Sequence, residues 1–158
     1  MTTQTMTIDH PTRGWLKWVA VAAPLAILTF LSGSGAPLGG FWAPSPDAQA
    51  MIASATSFQV LAFMGVKLFE ALAFGTGIAF LLFGYGTTRA VSPAFGRVVH
   101  LAIAWLLFSW WIHDSLHLHY EGGSANALLA IEYGFHVSLM FVGGILAVFF
   151  AKVVGKRA

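Results

Sequence analysis

The stretch "VVHLAIAWLLFSWWIHDSLHLHYEGG" (residues 98–123) decides the fold. From Leu101 to Ile112 it holds no charged residue, and then His113, Asp114, His117, His119 and Glu121 arrive together. A surface helix of a soluble domain keeps one polar face, whereas this run is apolar on every side. About 20 mostly apolar residues match the hydrocarbon thickness of a bilayer. The stretch therefore predicts a transmembrane helix whose end gathers imidazoles and carboxylates.

The rest of the chain agrees. Its 158 residues are 58% hydrophobic and 9% charged, with a mean hydropathy of +0.77. Soluble domains carry about 25% charged residues, and a core of this size cannot hide so much apolar surface from water. The composition predicts an all-α integral membrane protein of one compact unit. No stretch alternates like a barrel strand. With no cysteine, thiolate metal sites, disulfides and cysteine nucleophiles are excluded.

Four segments predict spans: Trp15 to Leu31, Phe58 to Phe83, Val98 to His117 and Ala127 to Val153. Residues 1–14 read as a polar tail, and residues 15–158 as a single four-helix transmembrane domain. The first segment has the small residues Ser32 to Ala36 behind it, like a signal sequence, and is expected to remain as a span. Arg13 and Lys17 stand at the start of the first span. Arg89 and Arg97 lie between the second and third, and Lys152, Lys156 and Arg157 follow the fourth. The positive-inside rule then predicts an N-in, C-in four-helix bundle in the plasma membrane.

Lys67 alone of the eight basic residues falls within a span and away from its ends. Trp15 and Trp18 are expected at the inner interface, and Trp42, Trp110 and Trp111 at the outer one. The outer loop "GSGAPLGGFWAPSPDAQA" (residues 33–50) reads as irregular, being rich in glycine and proline. Glycines 75, 77, 84 and 86 on the second span, and 143 and 144 on the fourth, offer close helix packing.

The third and fourth spans are joined by the short loop "YEGGSAN" and should pack antiparallel. Folding them about residue 122 places His113 beside Glu132 and His136 opposite Ser109. His113 and His117 are four apart on one helix, and Glu132 and His136 are four apart on the other, so each pair shares a face. Lys67 and Glu70, three apart on the second span, can pair.

Counting from the outer ends, Glu132 and His113 lie roughly 6–10 Å deep and His136 roughly 15 Å. A charged residue near mid-membrane costs around 3 kcal/mol on insertion scales. Such groups need mutual satisfaction or a ligand. They are expected to meet in one buried cluster in the outer half of the bilayer.

Three imidazoles and a carboxylate suit a transition metal (Cu, Fe or Zn). The expected ligands are His113, His117, Glu132 and His136, with Asp114, Lys67 and Glu70 as supporting residues that orient ring nitrogens. A b-type haem between His113 and His136, or between His100 and His136, ranks below a metal ion. A hydrogen-bonded network without metal is the structural alternative. His119 and Glu121 are expected in solvent at the outer rim.

No phosphate-binding glycine loop and no hydrolase serine turn is present. The basic residues line one membrane face, which suits lipid headgroups and not nucleic acid. In residue types alone, Asp and His on membrane helices resemble the membrane metal sites of copper-dependent hydrocarbon and ammonia monooxygenases. The expected function is a small membrane subunit of a metalloenzyme or redox complex, monooxygenase-like or electron-transferring, with other membrane subunits as partners. The alternatives are a purely structural accessory subunit and a small ion- or proton-coupled transporter.

Overall fold

Three of the described helices begin where the sequence supplies a side-chain cap. A computed structural model describes residues 12–32, 43–89, 91–120, 122 and 124–155, and six helices are described among them. The first, α1, is Thr12–Phe30. A short helix α2, Pro46–Ala53, starts on Ser45, whose side chain accepts from the Ala48 N–H. Helix α3, Ser57–Phe83, opens with a capping box between Thr56 and Gln59. A single turn, α4 (Tyr85–Thr88), follows it. Helix α5 is Pro93–Tyr120, with the Phe95 N–H donating to the Ser92 hydroxyl at 3.2 Å. Helix α6 is Ala125–Gly155.

Three helices are long and apolar enough to cross a membrane: Ser57–Phe83, Pro93–Tyr120 and Ala125–Val153. The apolar part of α1, Gly14–Phe30, is shorter. Their cores are built from small residues. Ala71, Ala79, Val99, Ala102 and Ala104 are buried, whereas Phe58, Leu61, Phe69, Met140 and Phe141 are exposed. That inversion is what a lipid solvent permits, since tails accept large apolar side chains while small ones let backbones approach.

Gly75 packs on the backbone of Ala22 in α1. A methyl group on Gly77 would stand 2.9 Å from the Phe108 backbone nitrogen in α5. These two glycines set the spacing on both sides of α3.

Packing runs in chain order: α1 on α3, α3 on α5, and α5 on α6. The helices thus form a row with α5 between α3 and α6, and α1 and α6 make no extensive contact. The turn into α6 contains Gly122 at φ 77°. The Asp47 carboxylate of α2 occupies the space that a side chain at Gly122 would need.

Several expectations need correction. The loop at 33–50 is not irregular throughout, because Pro46–Ala53 is helical. The signal was present: serine, then proline at the first helical position, then an acid in the first turn. The third span starts at Pro93 and not at Val98, again behind a serine–proline cap. Trp111 is no interface anchor; it is 7% exposed and meets Phe74 edge to face at 4.8 Å. The polar tail through residue 11, Trp42, Glu121, Lys156 and Arg157 lie outside the described residues.

Candidate metal centre

Helix α5 carries its polar groups toward two neighbours at once. Asp114 is about 100° around the helix from His113, so the two cannot face the same partner. His113 and His117, one turn apart, point to the α6 side, where their rings lie 4.6 Å apart.

On α6, Glu132 stands between two imidazoles. Its Oε1 is 2.8 Å from His117 Nε2, and its Oε2 is 2.7 Å from His136 Nδ1. His136 Nδ1 also lies 3.1 Å from the Glu132 carbonyl oxygen, so the ring is held by its own helix. His113 meets His136 edge to face at 5.1 Å and packs on Phe135 at 5.0 Å. One ligand atom each from His113, His117 and Glu132 lies within 4.8 Å of the others, a grouping that can hold a metal ion.

His113 completes the chemistry by what it lacks. Its Nε2 is buried and has no hydrogen-bond partner. An imidazole nitrogen hidden from water and left unpaired costs about 1–3 kcal/mol. Glu132 satisfies the other two imidazoles, and no protein group satisfies this one.

The structure brings the four candidate residues together. His117 meets Glu132 directly at 2.8 Å, and His113 lies close to both Glu132 and His136. The Ser109 hydroxyl donates to the Leu106 carbonyl at 3.5 Å. Further down the seam, Trp105 Nε1 donates to Ser138 Oγ at 2.9 Å and stacks on Phe135.

The three supporting residues divide. Glu70 and Asp114 meet side chain to side chain across the α3–α5 seam. A hydrogen bond between two carboxyl groups needs one proton between them. Asp114 lies within electrostatic reach of His113 and His117, and its side chain also meets that of Glu70. Lys67 does not pair with Glu70 and does not join the centre. Its ammonium donates to the Ser32 carbonyl at 3.2 Å and lies 5.7 Å from the Phe30 ring centre. A cation at the C-terminus of α1 opposes the helix dipole and satisfies a terminal carbonyl, which explains its pull away from the acid.

His119 is not free at the rim: its Nδ1 is 2.8 Å from the Ala43 carbonyl oxygen. The Ser45 N–H likewise donates to the Leu118 carbonyl at 2.8 Å. These two bonds tie the segment before α2 to the end of α5, beside the turn that holds His117. Sequence reasoning missed them because the partners are backbone groups some seventy residues apart in the chain.

His100 stands apart. It is buried in α5, its Nε2 lies 2.9 Å from the Leu81 carbonyl oxygen, and it stacks on Phe80. That bond occupies a carbonyl near the end of α3, where helical partners run out. His100 is therefore committed to the α3–α5 contact and unavailable as an axial haem ligand. His113 and His136 meet edge to face, leaving no slot for a porphyrin plane between them.

The chain matches no family model, no curated protein and no solved structure. What it does must be argued from this cluster.

Proposed function

We propose that the chain is a four-span plasma-membrane protein, N-in and C-in, that holds a transition-metal ion at His113, His117 and Glu132, with His136 as a fourth ligand. It works as a small subunit of a membrane metalloenzyme or redox complex. The observation that carries this reading is the buried, unpartnered Nε2 of His113, on a ring grouped with His117 and Glu132. A cation between His113, His117 and Glu132 would give that nitrogen a partner and offset the cost of the acid in the bilayer.

Two imidazoles and one carboxylate form the donor set of many non-haem iron and catalytic zinc sites. An added imidazole keeps copper among the candidates. The bound ion would supply Lewis acidity or a redox couple. The chain supplies the ligands, an apolar shell from Phe135 and Trp105, and the backbone tie that fixes His136. Little of the chain lies outside its helices to bind a soluble substrate, which favours a subunit over a free-standing enzyme.

A structural accessory role is the second reading, favoured by the His117–Glu132 bond that joins α5 to α6 without any metal. Metal analysis separates the two. The chain purified in detergent is expected to carry about one transition-metal ion per site, removable by chelator and restored on reloading, with no Soret band. A folded chain that stays metal-free after exposure to iron, copper and zinc would reject the metal reading and leave the structural one.

A further inference from the structure

Below the metal centre, an open groove of about 540 Å³ runs down the α5–α6 seam. Val137, Phe141, Gly144, Ile145 and Val148 of α6 line it, with Phe95 of α5 at its foot. Every residue that lines it is apolar. Gly144 has no atom within 4 Å of where a methyl group would stand, so its missing side chain leaves room in the groove.

Length and charge together say what fits. Val137 to Val148 covers about 16 Å of helix, whereas the hydrocarbon core is about 30 Å thick. The groove therefore spans about one leaflet. A partner helix crossing the membrane would call for a seam about twice as long, but a single acyl chain would not.

The charge stands at the lower end. Lys152 lies one turn beyond Val148 on the same face of α6, and its ammonium is 4.8 Å from the Phe95 ring centre. Phe95 thus both lines the groove and holds the ammonium at its foot. A ring face attracts an ammonium and leaves it N–H donors for an acceptor. Counted from Ala125, Lys152 is about 40 Å along α6, past the hydrocarbon core and level with the headgroups. No residue from 84 to 112 is an acid, and none after Glu132 is. Neither helix that borders the groove offers Lys152 a carboxylate at this end, so the complementary charge comes from outside the chain.

We propose that the groove binds one anionic phospholipid of the cytoplasmic leaflet, with an acyl chain lying between Val137 and Val148 and the phosphate accepting from Lys152. A basic group between membrane helices on the cytoplasmic side is the setting in which anionic headgroups are held. The inference rests on the N-in, C-in membrane reading and does not need the metal.

The full chain, purified in detergent, is titrated with phosphatidylglycerol or with phosphatidylcholine of identical acyl chains, and complexes are counted by native mass spectrometry. Phosphatidylglycerol is expected to bind one to one, about fivefold more tightly than phosphatidylcholine. Lys152→Gln should erase that preference. Lys17→Gln, the same charge change at the start of α1, should leave it intact. Gly144→Phe fills the groove and should displace both lipids, with helix content checked by circular dichroism. Equal binding of the two lipids, an equal loss in both lysine variants, full binding to folded Gly144→Phe, or a protein retained in the lipid's place would overturn the proposal. If Gly144→Phe does not fold, the two lysine variants decide.

Orientation is read separately. The chain has no cysteine, so Lys152→Cys can be labelled in cells with a membrane-impermeant maleimide. Labelling is expected only after the cells are opened. Labelling of intact cells would reverse the topology and strike out the cytoplasmic leaflet, whereas the lipid titration would still judge the groove.

Discussion

His113→Phe separates a metal centre from a hydrogen-bonded network, because the two give the residue different work. In the network, His117 and His136 are both satisfied by Glu132 at 2.8 and 2.7 Å, while His113 Nε2 bonds to nothing. Phenylalanine keeps a flat ring beside Phe135, 5.0 Å away, and removes the unpaired nitrogen. The metal-free variant is expected to be more stable than the parent, by up to the 1–3 kcal/mol that a buried unsatisfied group costs. Metal binding moves the other way. Structural zinc sites bind with about 10–16 kcal/mol, so each of four ligands accounts for about 2.5–4 kcal/mol. Loss of one should weaken binding by about 10²–10³-fold.

The assay is competition against a chromophoric chelator in detergent, with denaturant unfolding of the apo protein alongside. His100→Phe on the same helix is the control and should leave metal affinity unchanged, since His100 is bonded to Leu81. Unchanged affinity in His113→Phe would refute the ligand assignment. A large loss of apo stability would refute the claim that this nitrogen is idle without metal.

Acidification should expel the metal, because protons compete for the ligand nitrogens; metal content after dialysis against buffers of falling pH reads it. Trp105→Phe removes the indole donor to Ser138, 2.9 Å away, and should lower stability by about 0.5–1.5 kcal/mol while leaving metal stoichiometry intact. Gly77→Ala places a methyl group 2.9 Å from Leu107 Cβ and from the Phe108 nitrogen, so α3 and α5 must separate, at a cost of about 1–3 kcal/mol in unfolding experiments. Chelator should lower the thermal midpoint of the loaded protein, since free metal at about 100 times its dissociation constant adds about 2.7 kcal/mol.

The long helices were legible because their signal is length and greasiness, which survive any error in packing. Ser57–Phe83 begins within one residue of its expected start. Boundaries were misread where a local cap starts a helix ahead of its long apolar run, as Ser92 does ahead of Pro93. The cluster of imidazoles and carboxylate was legible because helical periodicity places residues four apart on one face whatever the neighbour does. The direct bond of His117 to Glu132 was not. Register between α5 and α6 depends on the turn at Gly122 and on the stacking of Trp105 against Phe135, neither of which periodicity encodes.

The misplaced supporting residues carry the same lesson in energetic form. Charge pairing within α3 offered Lys67 a carboxylate three residues away, at the entropic cost of fixing two long side chains. The end of α1 offered an unsatisfied carbonyl that lipid cannot satisfy. Lys67 took the carbonyl, which released Glu70 to meet Asp114 on the far side of α5 from Glu132. Helix α5 thus separates an acid pair on its α3 face from imidazoles and one carboxylate on its α6 face. The division leaves a single carboxylate facing three imidazoles on the α6 side, where both of its oxygens are taken by imidazole nitrogens of two different helices.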